Sequence, residues 1–119
     1  IIATSDEKVV GYTLCMHPKF GDDIEVLRPM FGEIKRILGS NEKYIVMGQV
    51  CVDKAYRRRG IFRKLYSYML EEIKSEFNCI ITEVDSTNTA SLQAHYAVGF
   101  ELLSRYQSGG HDWELIRLG

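Results

Sequence analysis

The chain has 119 residues, of which 45% are hydrophobic, 11% aromatic and 26% charged. This composition is that of an ordinary globular protein, so it excludes a disordered tail, a collagen-like chain and a low-complexity scaffold, and the length predicts one domain with a buried core. The formal net charge of -1, from 15 basic and 16 acidic side chains, gives no overall field that would demand nucleic acid or an anionic membrane as a partner.

The first third of the chain predicts a hairpin followed by a helix. Residues 1–4 and 9–16 are rich in β-branched and apolar side chains and flank a turn-like polar segment, which is typical of two paired strands. Apolar residues then recur at helical spacing over residues 22–38, with an aspartate at the start as N-cap and Gly39 as the stop. Pro29 lies inside this pattern and predicts a kink or two shorter helices.

The remaining sequence predicts two strand–helix units and a closing hairpin. The predicted strands cover residues 44–52, 79–84, 100–107 and 113–118, and the predicted helices cover 61–76 and 88–98. The first of these strands is apolar almost throughout, which predicts a central position in a sheet. Gly99 ends the second helix, and the two glycines Gly109 and Gly110 predict a tight hairpin turn. This element order indicates an α/β or α+β fold.

Cysteine usage and hydropathy indicate a cytoplasmic protein. Cys15, Cys51 and Cys79 are odd in number and form no CxxC pair, so neither a disulfide framework nor a zinc site is expected. They are expected to be small buried side chains in a reducing compartment. No apolar run reaches the ~18 residues that span a bilayer, and no signal peptide is visible. The chain opens without Met on a strand-like segment, so we expect a fragment of a longer domain.

The junction between the strand over residues 44–52 and the next helix has the composition of an anion site. Arg57, Arg58 and Arg59 provide charge and fork-shaped donors, and Gly60 lacks a Cβ, so that a phosphate can approach the backbone. The first N–H groups of the helix have no intrahelical partner and carry the positive end of the helix dipole. A phosphate or diphosphate is the expected occupant. A solvated charged turn that caps the helix is the alternative.

Two segments resemble motifs of one enzyme family. Residues 50–62 (VCVDKAYRRRGIF) resemble motif A of the GNAT superfamily of acyl-CoA-dependent N-acyltransferases, which is a strand, then Arg/Gln-x-x-Gly-x-Gly/Ala, then a helix. Residues 83–95 (EVDSTNTASLQAH), followed by Gly99 and Phe100, resemble the motif B region. Order and spacing fit, and the resemblance covers essentially the whole chain. It implies a mixed, mostly antiparallel central sheet flanked by helices, without the family's N-terminal strand and helices, and acetyl-CoA as co-substrate.

The resemblance also implies the cofactor contacts. Main-chain groups of Val50 and Val52 would pair with the pantetheine arm as a peptide adds to a strand edge, and this strand's backbone would hydrogen-bond the thioester carbonyl. N–H groups of residues 58–63 would hold the pyrophosphate, and Asn88 would contact the cofactor arm. The implied cofactor-binding residues are Val50, Cys51, Val52, Arg57, Arg58, Arg59, Gly60, Ile61, Phe62, Arg63 and Asn88.

The sequence departs from the family pattern at two positions. Phe62 stands where the family usually has Gly or Ala, and it is expected to pack in the core without abolishing binding. His95, four positions before Gly99, stands where many members carry a tyrosine that protonates the leaving thiolate. His95 is a candidate for that acid because imidazole donates a proton near pH 7; the alternative is that it only lines the cleft or caps a helix. Tyr96 lies ~100° further around the helix, so a packing role is expected for it.

Glu83 is the candidate general base. A carboxylate at the end of a central strand can deprotonate an ammonium group through water, and a substrate-binding or structural carboxylate is the alternative. Gln49 cannot act as a base but can position an acceptor. Cys51 as an acyl-carrying nucleophile is disfavoured by its apolar neighbours.

These residues predict direct transfer of an acetyl group. Acetyl-CoA would bind in a cleft between the strands over residues 44–52 and 79–85, and a primary amine would attack the thioester, giving a tetrahedral intermediate from which CoA thiolate leaves. A non-catalytic acyl-CoA-binding or interaction module on the same fold is the main alternative. A nucleic-acid binder using the basic turn is disfavoured by the balanced charge. The amine acceptor stays open, as does a homodimer paired through the C-terminal strands.

Overall fold

The computed structural model describes residues 2–5, 8–16, 28–38, 42–52 and 60–119. In chain order the elements are β1 (Ile2–Ser5), β2 (Lys8–Met16), α1 (Arg28–Leu38), β3 (Tyr44–Val52), α2 (Ile61–Ile73), β4 (Cys79–Asp85), α3 (Thr89–Val98), β5 (Glu101–Ser108) and β6 (His111–Leu118).

These residues form one six-stranded sheet with the order β1-β2-β3-β4-β6-β5. Neighbouring strands run antiparallel except β3 and β4, which run parallel. The predicted mixed, mostly antiparallel sheet flanked by helices is therefore confirmed. The central position predicted for β3 is confirmed as well, because β2 and β4 lie on either side of it.

Two hydrophobic clusters cover the two faces of the sheet. On one face, Tyr66 and Met69 of α2 and Leu92 of α3 pack against Ile80 of β4. On the other face, the apolar side chains of α1 pack against Ile81 of β4 and its neighbours. Alternate residues of β4 thus enter opposite clusters, as the two-residue repeat of a strand requires. Burial on both faces explains why β3 and the start of β4 are apolar almost throughout.

The helices begin and end close to the predicted bounds. Pro29 is the second residue of α1, where a missing N–H removes no intrahelical bond, so the described helix needs no kink there. The predicted first part of this helix, residues 22–27, and its predicted stop at Gly39 lie outside the described residues. The helix predicted over residues 61–76 ends at Ile73 and is followed by a turn. Gly99 closes α3 with a φ of 120°, as predicted.

Both predicted hairpins are present. Ser5 pairs with Lys8 at the end of the β1–β2 ladder. In the β5–β6 hairpin, Ser108 pairs with His111 around two glycines with φ of 61° and 79°. Positive φ at both central positions is the requirement of a two-residue type I′ turn, which the two glycines meet.

Two further observations concern the cysteines and the helices. Cys79 is a buried free thiol, and burial raises its pKa. The side chains of Cys15 and Cys51 lie outside the described residues.

Among the residues that the structure describes, no helix combines the length and the hydropathy needed to cross a membrane.

Candidate active site

The central parallel pair of strands separates part-way along its length. The ladder between β3 and β4 pairs Tyr44 with Cys79, Ile45 with Ile80 and Val46 with Ile81, and it ends there. Beyond this point β4 stays paired with β6, and β3 stays paired with β2. At the separation, the Thr82 hydroxyl donates a hydrogen bond to the main-chain oxygen of Met47 over 2.9 Å. A side chain therefore replaces the ladder just where the facing strand edges part.

A bulge lies on β3 at the same place. Leu14 of β2 pairs with Gln49, and Cys15 pairs with Met47, so Gly48 is the extra residue on β3. Bulges of this kind increase the local twist and redirect the neighbouring main-chain groups. The end of the ladder and the bulge together give the second half of β3 a main-chain edge that lies outside the ladder with β4.

The start of α2 supplies a second set of main-chain donors. Gly60 adopts the left-handed conformation with φ of 76° and ψ of 9°. The Lys64 N–H donates to the Gly60 oxygen over 3.0 Å, which is the first bond of the helix. The N–H groups of residues 61–63 therefore precede the intrahelical pattern and point out of its end. Of the residues predicted to hold the pyrophosphate, Arg57, Arg58 and Arg59 lie outside the described residues.

The side chain of Arg63 is engaged elsewhere. Its guanidinium donates to the main-chain oxygen of Ala97 over 2.7 Å and thereby ties the start of α2 to the end of α3. Its main-chain N–H stays at the helix terminus. Ile61 and Phe62, which complete this part of the predicted set, are both half-buried.

Asn88 is fixed as the N-cap of α3. The Ser91 N–H donates to Asn88 Oδ1 over 3.2 Å. Asp85 holds the turn before it, because its Oδ1 accepts hydrogen bonds from the Thr87 N–H at 2.9 Å and the Thr87 hydroxyl at 2.8 Å. These bonds, the main-chain one first, lower the pKa of Asp85. With Oδ1 committed to the cap, the amide NH₂ of Asn88 is the part of the side chain that can donate to a ligand.

His95 lies in the core between α2 and α3 with an exposed fraction of 2%. Its Nδ1 lies 2.7 Å from the Ser91 main-chain oxygen, which can only accept, so Nδ1 carries the proton. Nε2 then accepts from the Tyr66 hydroxyl over 2.8 Å. Phe62 and Phe100 contact the ring edge to face, with centroids 5.0 and 5.1 Å away. Burial lowers the pKa of His95, which favours the neutral ring.

The alternative to a catalytic role is that His95 only lines the cleft or caps a helix; the structure places its ring in the core, bonded to Ser91 and Tyr66. Both ring nitrogens are engaged within the core between α2 and α3. The role of His95 as proton donor stays a prediction, since it requires the ring to leave these bonds. The aromatic contacts of Phe62 agree with the expectation that it packs in the core.

Tyr96, the next residue of α3, lies on the side of the helix that faces β6. Its hydroxyl donates to Oε1 of Glu114 over 2.6 Å. Burial, followed by the contact with Glu114, raises the pKa of Tyr96 to about 12. Tyr96 therefore packs over the sheet, as expected for this position.

Glu83 lies on the sheet face covered by α1. It alternates along β4 with the buried Thr82 and Val84 and is half-buried itself. The Tyr106 hydroxyl donates a hydrogen bond to Glu83 Oε2. Burial raises the pKa of Glu83, and the bond from Tyr106 acts in the opposite direction. A half-buried carboxylate with a raised pKa is a typical general base or acid.

The arrangement places Glu83 and the main-chain donors at one end of the sheet but on opposite faces. Helices α2 and α3 follow β3 and β4, so their N-termini lie at the carboxyl ends of these strands. The two helices pack on the face opposite to α1 and Glu83. The separation between β3 and β4 is the opening that joins the two faces.

A cavity of about 450 Å³ lies beside the same end of β4. It is lined by Ser86, Arg105, Tyr106, Gln107, Asp112 and Glu114. The sequence patterns missed two residues of this region, Tyr106 and Thr82. An aromatic residue in β5 indicates only a strand, and its proximity to Glu83 depends on the β4-β6-β5 order.

Sequence comparison decides the family. Residues 1–100 match the family model described as the acetyltransferase (GNAT) family. The chain belongs to the GNAT acetyltransferase family. This confirms the resemblance of the two motifs, and the co-substrate of the family is acetyl-CoA. No protein of curated function matches the sequence.

Solved structures with the GNAT fold superpose on most of the chain. The ribosomal-protein-S18-alanine N-acetyltransferase from Escherichia coli matches with a TM-score of 0.64 and 16% identity over 97% of this chain and 64% of that one. An N-acetyltransferase from Staphylococcus aureus gives 0.70 and 21% over 98% and 68%. An acetyltransferase from Salmonella typhimurium, solved with acetyl-CoA, gives 0.66 and 18% over 98% and 61%. The chain thus spans about two thirds of their length, and at these identities the likeness shows the fold alone.

Proposed function

We propose that this GNAT domain is an N-acetyltransferase that moves an acetyl group from acetyl-CoA to a primary amine by direct attack in a ternary complex. The observation that carries the proposal is the end of the β3–β4 ladder at Val46 and Ile81. It leaves a main-chain edge beside two helix N-termini, which suits a cofactor made of a peptide-like arm and a pyrophosphate.

The cofactor would lie on the α2 and α3 side of the opening. Main-chain groups of Val50, Cys51 and Val52 would bind the pantetheine arm. The N–H groups of residues 61–63, at the positive end of the helix dipole, would bind the pyrophosphate together with the arginines that precede Gly60. The amide NH₂ of Asn88 would donate to the arm from the other side of the opening.

The acceptor amine would approach from the α1 face, where Glu83 lies. Its neutral nitrogen attacks the carbonyl carbon to give a tetrahedral intermediate. The C–S bond then breaks, the electron pair leaves with the CoA sulfur, and the remaining extra proton on nitrogen passes to the thiolate or to water. Glu83 accepts the proton that the ammonium group loses, directly or through one water. Positioning and a main-chain hydrogen bond to the carbonyl oxygen supply most of the rate.

The buried state of His95 favours a second candidate, a non-catalytic acyl-CoA-binding module. The family's acid position holds a side chain whose nitrogens are already bonded. A thiol has a pKa of about 8.5, however, so a thiolate can leave near neutral pH without an acid. Catalysis therefore does not require His95, and turnover with an amine separates the two candidates.

The first experiment is a calorimetric titration with acetyl-CoA, with dephospho-CoA and ATP as controls. We expect micromolar binding of acetyl-CoA. CoA release is then measured with lysine, a peptide bearing a free α-amino group and a polyamine as acceptors. Binding without turnover on any acceptor would favour the non-catalytic module, and no binding at millimolar cofactor would contradict both candidates.

Glu83→Gln tests the base. We expect turnover to fall more at low pH than at high pH, because the acceptor deprotonates itself as the pH rises. Glu114→Gln is the matched control, since Glu114 is a buried carboxylate on the other face of the sheet. A Glu83→Gln profile parallel to that of the wild type would remove Glu83 as the base.

Two broader properties belong to the same proposal. We infer a cytoplasmic location, supported by the free thiol of Cys79. We also infer pairing of two copies through the C-terminal strands, since β5 lies at the edge of the sheet. Light scattering that reports a monomer at high concentration would contradict this pairing.

A further inference from the structure

We propose that Tyr106 is a positioning residue for acetyl transfer, which holds the Glu83 carboxylate toward the acceptor from two strands away. This inference rests on the proposed role of Glu83 as the base. It assigns a function to the phenol of Tyr106 beyond its packing on α1.

The register of the sheet brings the two residues together. Tyr106 pairs with Trp113 of β6, which pairs with Asp85 of β4, so these three form one row across the sheet. Glu83 is in the adjacent row on the same face. The Tyr106 side chain therefore crosses β6 diagonally, and its hydroxyl donates to Oε2 of Glu83.

Tyr106 is held in this orientation from two sides. Its ring packs against the cluster that α1 forms with the sheet. Two residues earlier on the same strand, the Ser104 hydroxyl donates to Oε1 of Glu33 in α1 over 2.9 Å. Arg36 of α1 donates to the same carboxylate. The ring thus lies between a fixed helix and the sheet, and it cannot follow a rotating Glu83 side chain without losing this packing.

The hydrogen bond has two chemical consequences. Because Oε2 accepts from the phenol, Oε1 is the oxygen left for the acceptor proton. A donor to a carboxylate also stabilises its ionised form, and this opposes the burial that raises the pKa of Glu83. The phenol itself stays protonated, since burial and the contact with Glu83 raise the pKa of Tyr106.

Three ion pairs lie among the other charged side chains that the structure describes on this face. Glu33 forms an ion pair with Arg36 on α1, Asp85 pairs with His111, and Arg117 pairs with Glu42. Among the described side chains, Tyr106 is the hydrogen-bond donor that reaches Glu83.

The experiment compares Tyr106→Phe with the wild type. The phenyl ring fills the same space, so the packing on α1 is retained while the donor is lost. The rate requires ionised Glu83 and rises with pH through its pKa. We expect the acid limb of the kcat/KM profile to move to higher pH by about one unit, which is a tenfold change in proton affinity. The KM for acetyl-CoA is expected to stay unchanged, because Tyr106 lies on the acceptor side.

Tyr96→Phe is the matched control. It also removes a tyrosine hydroxyl that donates to a buried carboxylate, but that carboxylate is Glu114 on the opposite face. We expect its acid limb to coincide with that of the wild type. An acid limb that moves equally in both variants would overturn the proposal, because a general loss of packing would then account for the shift.

A titration without cofactor or acceptor gives an independent readout. Side-chain carbon-labelled glutamate is followed by NMR as a function of pH, with Glu83→Gln to assign the Glu83 signal. We expect this signal to titrate at higher pH in Tyr106→Phe than in the wild type. An unchanged midpoint would overturn the proposal even if acetyl transfer occurs. A raised midpoint combined with a Glu83→Gln rate profile parallel to that of the wild type would refute the base role instead, and the positioning role with it.

Discussion

Gly60→Val tests whether the left-handed turn before α2 builds the pyrophosphate site. Gly60 has a φ of 76°, and no atom of the described residues lies within 4 Å of the position that a Cβ would take. Space therefore does not select glycine here; the backbone conformation does. A β-branched residue in this region costs about 1–2 kcal/mol. The chain avoids that cost by moving the turn, which displaces the Gly60 oxygen from the Lys64 N–H and the outward N–H groups of residues 61–63.

The expected consequence is a loss of cofactor affinity of about tenfold or more, since about 1.4 kcal/mol corresponds to one decade in the dissociation constant. Calorimetry with acetyl-CoA measures it directly. Gly60→Asn distinguishes conformation from bulk, because asparagine tolerates the left-handed region, and it should retain most of the affinity. Gly109→Val places the same residue at a φ of 61° in the β5–β6 turn. It should lower stability and leave acetyl-CoA binding intact, whereas undiminished affinity in Gly60→Val would refute the anion-site reasoning.

Two further predictions concern α3. Asn88→Ser keeps an N-cap acceptor for the Ser91 N–H but removes the amide NH₂, so the thermal midpoint should hold while the Kd for acetyl-CoA rises several-fold; an unchanged Kd would count against a cofactor contact. His95→Phe should flatten the pH dependence of stability. Burial lowers the pKa of His95 in the folded state, so the unfolded wild type binds a proton that the folded state does not, and its free energy of unfolding falls as the pH drops below about 6.5. Urea unfolding at pH 5 and pH 8 checks this, and equal pH slopes for both proteins would contradict it.

Sequence patterns predicted the helices, strands and turns because the signals for each lie within a few neighbouring residues. The glycine pair fixes the β5–β6 turn by its own φ angles, and Gly99 ends α3 in the same way. The predicted bounds are wrong where polar residues give no periodic pattern of apolar side chains. The start of β6 was predicted at Trp113, but the ladder already begins at His111, because exposed polar residues at a hairpin end pair without an apolar signal. The end of α2 was predicted three residues too late, where polar side chains give no stop signal.

The residues of the candidate site show the same difference between local motifs and contacts made by distant parts of the chain. Gly60 and Asn88 were predicted because each lies in a short motif at a helix start. Tyr106 was not, because the phenol meets Glu83 only after β6 has been inserted between β4 and β5. For His95, the spacing from Gly99 predicted which family position the residue occupies. It could not predict which side chains surround the ring. The Tyr66 hydroxyl that occupies Nε2 comes from another helix, 29 residues earlier in the chain.

The end of the β3–β4 ladder also explains why Glu83 can lie in an otherwise apolar strand. Residues 79–82 are fully buried, because the ladder and both clusters enclose them. The ladder ends at Ile81, and Thr82 is still buried. Glu83 follows, and it is the first residue of β4 that is only half-buried. A carboxylate one position earlier on this face would stand at Ile81, inside the α1 cluster, where ionisation would be costly. A carboxylate at the next residue in the chain, Val84, would lie on the opposite face of the sheet. There it would face α2, α3 and the cofactor instead of the acceptor. The separation of the strands and the two-residue alternation thus make position 83 the first in β4 that combines partial burial with a place on the α1 face.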